Sequence, residues 1–168
     1  GGDLFIVDNS ISGWTGLRYL KEWTEISIGF DIATGYFEVG ALLALDTHWQ
    51  KLGKIRILMG DETTIKTKKL LLHALKLKAE ETIEANIEAV KADNPFLNGV
   101  AAIIDAIKSG QIECRVYNKS KFHAKAYITH PKLEVVGSKA LVGSSNFTKP
   151  GLLQNVELNV QVQSPSEV

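Results

Sequence analysis

The chain has 168 residues, 45% of them hydrophobic and 23% charged, which is typical of a folded globular domain and excludes a disordered chain. Nineteen basic and nineteen acidic residues give a formal net charge of +0. This balance excludes a protein that binds polyanions over its whole surface, so any nucleic-acid surface must be local. No apolar run approaches the roughly 18 residues that span a bilayer.

Residues 1–3 are not the charged start of a signal peptide, and we expect no membrane association and a cytoplasmic location. The single cysteine, Cys114, lies in an alternating apolar pattern that predicts a buried strand thiol, and no disulfide can form within one chain. We expect a single domain over residues 1–168. The start at Gly1 and the end at Val168, just after a predicted strand, suggest a segment of a longer protein with other domains.

The first half of the chain alternates predicted strands with predicted helices. The apolar patterns predict strands at residues 4–7, 26–37 and 54–59, and helices at residues 17–23, 39–52 and 63–91. Asn94 and Pro95 interrupt the helical pattern, which resumes over residues 96–108 and stops at Gly110.

The last third is rich in β-branched residues. It predicts strands at residues 112–117, 122–129, 135–136, 141–142 and 156–162. Strands that alternate with helices in the first half of the chain, and strands that cluster in its last third, predict an α/β fold. In this fold a mixed β-sheet is flanked by helices on both faces.

Two polar residues share one face of the predicted strand 122–129. His123 and Lys125 are two positions apart and therefore project from the same side, while Ala124 and Ala126 occupy the other. An imidazole beside an ammonium supplies a nucleophile and a cation, which together suit a phosphate group.

Two later segments complete the pattern. Gly143 is followed by Ser144, Ser145 and Asn146 in a predicted loop, whose amide and hydroxyl groups suit phosphate oxygens. Glu157 enters the last predicted strand, where its carboxylate could orient an imidazole through a hydrogen bond.

This series of motifs, from residue 121 to residue 160, resembles the His-Lys-Asp motif of the phospholipase D superfamily. It is most similar to single-motif bacterial nucleases and to the phospholipase D-like domains of helicases and restriction enzymes. Residues 30–37 also resemble a segment of those helicase-associated domains. The resemblance implies catalytic roles for His123, Lys125, Asn146 and Glu157.

The family reaction proceeds through a covalent phosphohistidine, and a second histidine from another motif copy protonates the leaving oxygen. It uses no cofactor and no metal. This chain carries one copy of the motif, so the resemblance implies a homodimer that brings two copies together. One position departs from the family: His130 stands where the motif aspartate is expected, five residues after Lys125. It either replaces that aspartate or begins the turn at Pro131.

Substrate binding is expected from Ser144 or Ser145, of which only one should touch phosphate, and from the lysines that flank the motif strands, Lys121 and Lys149. Tyr36 could stack on a base. The favoured interpretation is a phosphodiesterase or endonuclease that acts on nucleic acid, with DNA preferred as the partner. A catalytically silent nucleic-acid-binding module is the alternative, and phospholipid chemistry ranks below both because no basic amphipathic helix is found.

Overall fold

The computed structural model describes residues 5–79 and 95–164. Within these ranges the strands are β1 (Ile6–Val7), β2 (Ser27–Thr34), β3 (Lys54–Met59), β4 (Ile112–Val116), β5 (Lys125–Pro131), β6 (Lys139–Gly143) and β7 (Asn159–Gln163). The helices are α1 (Gly16–Glu25), α2 (Val39–Ala44), α3 (Ile65–Ala79), α4 (Pro95–Ser109) and α5 (Lys149–Leu153). The expectation of one domain over the whole chain stays a prediction.

The seven strands form one mixed sheet in the order β1-β7-β6-β5-β2-β3-β4. β2, β3 and β4 are parallel to one another, whereas the other neighbouring strands are antiparallel. A mixed sheet combined with helices confirms the predicted α/β class.

The sheet order brings three chain segments to one edge. The parallel strands β2 and β3 end there, and their last residues, Thr34 and Met59, are paired in register. β5 runs antiparallel to β2 and begins at this edge, because Lys125 pairs with Thr34. Ligands of open α/β sheets commonly bind beyond the carboxyl ends of the parallel strands, so this edge is where a site is expected.

The hydrophobic core lies between one face of the sheet and the helices. Phe30, Ile32 and Tyr127 on that face are at most 1% exposed, and Leu20 and Trp23 of α1 pack in the same cluster. The hydroxyl of Thr15 caps α1 by accepting a hydrogen bond from the amide of Arg18, which fixes where the helix begins. Packing in this core therefore fixes the positions of β2 and β5, whose ends form the edge described above.

The opposite face of the sheet is more polar. Within the described ranges its side chains line a cavity of about 460 Å³, whose walls include Asp31, Ala33, Arg56, Ala126 and Ile128. These residues alternate with the buried ones along each strand, as a pleated sheet requires.

Two sequence predictions about helices need correction. The predicted helix 39–52 ends at Ala44, and a short 3₁₀ turn at Trp49–Lys51 follows it, because Thr47 adopts a left-handed backbone conformation with φ of 66° that no helix can contain. The short helix α5 was not predicted. The predicted helix 63–91 begins at Ile65 and is described as far as Ala79, and its remainder lies outside the described residues.

Three strand predictions also change. Residues 134–136 form a 3₁₀ turn closed by Gly137, whose φ of 71° ends it, and not a strand. Strand β5 begins at Lys125 rather than at residue 122, and β7 begins at Asn159 rather than at residue 156. His123 and Glu157 thus lie in loops just ahead of their strands.

Candidate active site

His123 and Lys125 lie side by side at the sheet edge. The Nδ1 atom of His123 is 3.0 Å from the Nζ atom of Lys125. His123 precedes β5, but the carbonyl of Ala124 accepts a hydrogen bond of 2.7 Å from the amide of Gly35, so the strand-like alternation begins ahead of the first residue of β5. This bond explains why the two side chains point to the same side.

The environment of Lys125 makes its positive charge easier to lose than that of a solvated lysine. Burial lowers the pKa of the Lys125 ammonium below its ordinary value of 10.5, and the negative charge of Glu157 opposes that shift only in part. Glu157 is therefore near enough to interact electrostatically with Lys125.

The contact between the two residues selects one tautomer of the imidazole. An ammonium group has hydrogen-bond donors and no acceptor, so Nδ1 of His123 must accept, and a neutral ring then carries its proton on Nε2. Attack on phosphorus through Nε2 requires the opposite arrangement, in which Nδ1 carries the proton and donates it to an acceptor.

Glu157 does not supply that acceptor within the chain. Its Oε2 atom accepts a hydrogen bond from the hydroxyl of Ser144, and its Oε1 atom lies 3.3 Å from the side-chain amide of Asn155. Ser144 in turn accepts from the amide of Leu158 at 2.9 Å. The expected bond from Glu157 to an imidazole is thus not formed in the single chain, and the carboxylate is held by a loop contact instead.

Ser144 and Ser145 have different environments. Ser144 is exposed, whereas Ser145 is fully buried and its hydroxyl accepts a hydrogen bond of 2.8 Å from the side-chain amide of Asn159. The Oδ1 atom of Asn159 also accepts from the amide of Ser145, and the hydroxyl of Tyr127 donates to the Ser145 carbonyl. The structure therefore does not bring Ser145 to the site, and its hydroxyl holds the loop in place.

Two of the four catalytic candidates, His123 and Asn146, line a cavity of about 190 Å³ at the sheet edge, whereas Lys125 and Glu157 are not among its lining residues. His123, Asn146 and Lys121 line it, and they are joined by residues from the ends of β2 and β3. Lys149 is exposed at the start of α5 and is not among the lining residues. The complete lining is Gly35, Tyr36, Asp61, Glu62, Lys121, Phe122, His123 and Asn146.

Two glycines allow the chain segments at this edge to pack backbone against backbone. A Cβ atom at Gly35 would lie 2.8 Å from the Phe122 carbonyl oxygen and 3.1 Å from the Cα of His123. A Cβ atom at Gly60 would lie 2.4 Å from the Gly35 carbonyl oxygen. Sequence reasoning missed both glycines as site residues, although their position at the ends of adjacent parallel strands was a usable signal.

His130 lies away from the site. It is on β5, five residues from Lys125 and therefore about 17 Å along the strand, and it faces the opposite side of the sheet. Its Nε2 atom is 2.8 Å from Oδ2 of Asp31, a carboxylate that also accepts from Arg56. Burial raises the pKa of Asp31, but the hydrogen bonds from Arg56 and His130 outweigh it and lower that pKa below 3.8. His130 thus belongs to a hydrogen-bond network with Asp31 and Arg56, and it does not begin a turn because β5 extends to Pro131.

Residues 28–168 match the family described as cardiolipin synthase, PLD-like domain. The chain belongs to this phospholipase D-like family. No curated protein matches the chain.

One solved structure supports the phospholipase D-like fold. A mutant of yeast tyrosyl-DNA phosphodiesterase 1 is 20% identical with a TM-score of 0.50, and the alignment covers 87% of this chain and 27% of that one. The chain thus spans about a quarter of that neighbour. NucT from Helicobacter pylori is 13% identical with a TM-score of 0.46, over 89% of this chain and 77% of that one.

Among residues 5–79 and 95–164, no helix has the length and apolar character needed to cross a membrane. The same residues contain no group of three or more histidine, cysteine, aspartate or glutamate side chains placed to hold a metal ion.

Proposed function

We propose that this phospholipase D-like chain is a metal-independent phosphodiesterase that cleaves nucleic acid, with DNA as the preferred substrate. The observation that carries the proposal is the placement of His123 beside Lys125, together with the placement of His123 and Asn146 on one cavity. Family membership supports phosphodiester chemistry. The name of the yeast neighbour, a tyrosyl-DNA phosphodiesterase, supports DNA as the substrate class.

The reaction would proceed in two balanced steps. In the first, Nε2 of one His123 attacks phosphorus, a P–N bond forms, the bond from phosphorus to the leaving oxygen breaks, and a second protonated His123 donates its proton to that oxygen. In the second, the now neutral second histidine removes a proton from water, whose oxygen attacks phosphorus and breaks the P–N bond. Lys125 and Asn146 would stabilise the phosphoryl oxygens.

The second histidine would come from a second copy of the chain. Each copy carries one His-Lys motif, so two copies related by a two-fold axis would supply the attacking and the protonating residues. The tautomer argument supports the same arrangement, because His123 needs an acceptor for an Nδ1 proton and its own Glu157 is turned to Ser144. We assign that acceptor to the partner's Glu157.

Cleavage of labelled single- and double-stranded DNA in excess chelator tests the proposal. The native chain should cut, and His123→Ala should lose at least about 1000-fold of the rate, since the nucleophile is removed. His73→Ala is the matched control, because His73 is exposed on α3. Radiolabelled phosphate attached to the native chain, stable in alkali and lost in acid, would identify the phosphohistidine.

The opposite result has a clear meaning. If the native chain binds DNA but cuts neither DNA nor bis(p-nitrophenyl) phosphate, the silent binding module replaces the enzyme as the function. The position of His130 argues against that outcome, since the residue that departs from the family motif lies on the other face of the sheet from Lys125.

A further inference from the structure

The cavity beside His123 has two chemically different walls. Lys121, His123 and Asn146 form one wall and suit a phosphate group. The second wall, defined by its chemistry, consists of Tyr36 from the end of β2 and of Asp61 and Glu62 from the end of β3. Two carboxylates repel phosphate, so the second wall must contact a different part of any substrate.

The position of the second wall is fixed by backbone packing. Tyr36 directly follows Gly35, and Asp61 directly follows Gly60, the two glycines that pack against the His123 segment. The amide of Gly60 donates a hydrogen bond of 3.1 Å to the Thr34 carbonyl, and the hydroxyl of Thr34 donates to the Tyr36 carbonyl at 2.9 Å. These contacts hold the backbone before Tyr36 and Asp61 next to the segment that carries His123.

The side chains of the wall are available to a ligand. Within residues 5–79 and 95–164, neither Asp61 nor Glu62 makes a side-chain hydrogen bond or an ion pair, and both are exposed. The ring of Tyr36 is half-buried beside them. Two acceptor-only carboxylates next to an aromatic ring can hold a flat group that carries several N–H donors.

We propose that Tyr36, Asp61 and Glu62 form a base-binding subsite that selects guanine next to the scissile phosphate. This inference rests on the proposed function, because it assumes a nucleic-acid substrate at His123. Tyr36 stacks on the base, and the carboxylates accept hydrogen bonds from its edge. Guanine suits them best, since its edge presents an imino N–H beside an amino group, whereas thymine presents one N–H and cytosine and adenine present one amino group.

The test uses nine-residue thymidine strands that carry a single guanine, adenine or cytosine at the centre. Cleavage positions are mapped by mass spectrometry, and equilibrium binding of the same strands to the His123→Ala chain is measured in parallel. We expect guanine to be preferred over thymine by about fivefold in both measurements. The double variant Asp61→Asn with Glu62→Gln should bring that ratio close to one.

Three further variants sharpen the test. Asp105→Asn removes an exposed carboxylate on α4 and should leave the guanine preference unchanged. Tyr36→Phe retains the aromatic ring and should bind all strands like the native chain. Tyr36→Leu should weaken binding of all strands by about fivefold or more through lost stacking.

The outcomes separate this inference from the proposed function. An unchanged guanine ratio in the double variant overturns the subsite. A rise in rate that is equal for all four bases also overturns it, because the carboxylates would then act through repulsion alone. If the native chain cuts nothing but binds guanine strands selectively through Asp61 and Glu62, the subsite stands and the phosphodiesterase fails.

Discussion

The chemistry of the site depends on what surrounds individual side chains. Lys125 is partly buried, so its charge is easier to lose than that of a solvated lysine. Asp31, on the other face of the sheet, has the opposite perturbation because two basic side chains hold its carboxylate. The pKa shift of Lys125 predicts how activity depends on pH, and the pKa shift of Asp31 predicts how stability depends on pH.

The first prediction concerns the alkaline limb of the pH profile. Phosphate binding needs the charged form of Lys125, and burial lowers its pKa, so kcat/KM should begin to fall at a pH below 10.5. Lys125→Arg should move this limb upward, because a guanidinium stays protonated throughout the range. Lys119→Arg, an exposed control, should leave the limb in place. If the limb persists unchanged in Lys125→Arg, Lys125 does not titrate in it.

The second prediction concerns stability in acid. The folded state lowers the pKa of Asp31, so its contribution is complete above the unfolded value near 3.8 and is lost as the pH falls through the lower folded value. Asp31→Asn should cost about 1 kcal/mol in the free energy of unfolding at neutral pH. Urea denaturation should show this difference shrinking below pH 4, while Asp105→Asn matches the native chain throughout. A deficit that persists undiminished at low pH would exclude the ion pairs as its cause.

Among the secondary-structure elements, the ends of β2 and β3 determine where His123 stands. Gly60 packs on Gly35, and Gly35 packs on the His123 segment. Replacement of either glycine by alanine should displace the histidine, and a displacement of about 1 Å can lower a rate about 100-fold.

The third prediction follows from this packing. Gly60→Ala should lower kcat by about 100-fold with a smaller change in KM, and it should shift the imidazole NMR signals of His123. Gly40→Ala is the matched control, because a Cβ atom at Gly40 meets no atom within 4 Å. A Gly60→Ala chain that is less stable but has native kcat and a native His123 spectrum would show a purely structural role.

The fourth prediction concerns the loop before α5. Asn159 is 1% exposed, and its side chain makes hydrogen bonds to Ser145 and to the Val7 carbonyl. Asn159→Ala would leave those buried groups unpaired and should cost about 2 kcal/mol in the free energy of unfolding. Asn118→Ala, on an exposed loop, should cost nothing measurable in the same thermal denaturation. Equal stability of the two variants would mean that water replaces the Asn159 contacts.

Local patterns predicted much of this fold. The alternation of residues 54–59 and 112–116 gave β3 and β4, and the stop at Gly110 marked the end of α4. The motif spacing identified His123 and Lys125, which lie in contact. These features depend on neighbours within a few positions, where periodicity carries information.

Most of the remaining features depend on distant contacts. The break at Thr47 puts an exposed β-branched residue in a left-handed conformation, which is contrary to its local preference and leaves no mark in the apolar periodicity. Ser145 looked like a phosphate ligand because it stands beside Gly143, but Asn159, fourteen residues later, binds its hydroxyl. The wall of Asp61 and Glu62 meets His123 through the sheet order, which the sequence does not display.

The whole molecule is half of the proposed catalytic unit. One chain supplies one His123, and its Glu157 is turned to Ser144 rather than to that histidine. A dimer would supply the second histidine. It would also supply a carboxylate for each histidine if each Glu157 orients the His123 of the other chain. Sedimentation should then show a dimer under the conditions in which DNA is cut.

The fifth prediction distinguishes that arrangement from pairing within one chain, using heterodimers isolated through two affinity tags. One heterodimer combines His123→Ala with Glu157→Ala, so its remaining histidine and glutamate are on different chains. The other combines the native chain with the double variant, so both remain on the same chain. With bis(p-nitrophenyl) phosphate, whose leaving group needs no protonation, the first should release a burst of p-nitrophenol and the second should be at least about tenfold slower. The reverse order of rates would place Glu157 beside its own histidine.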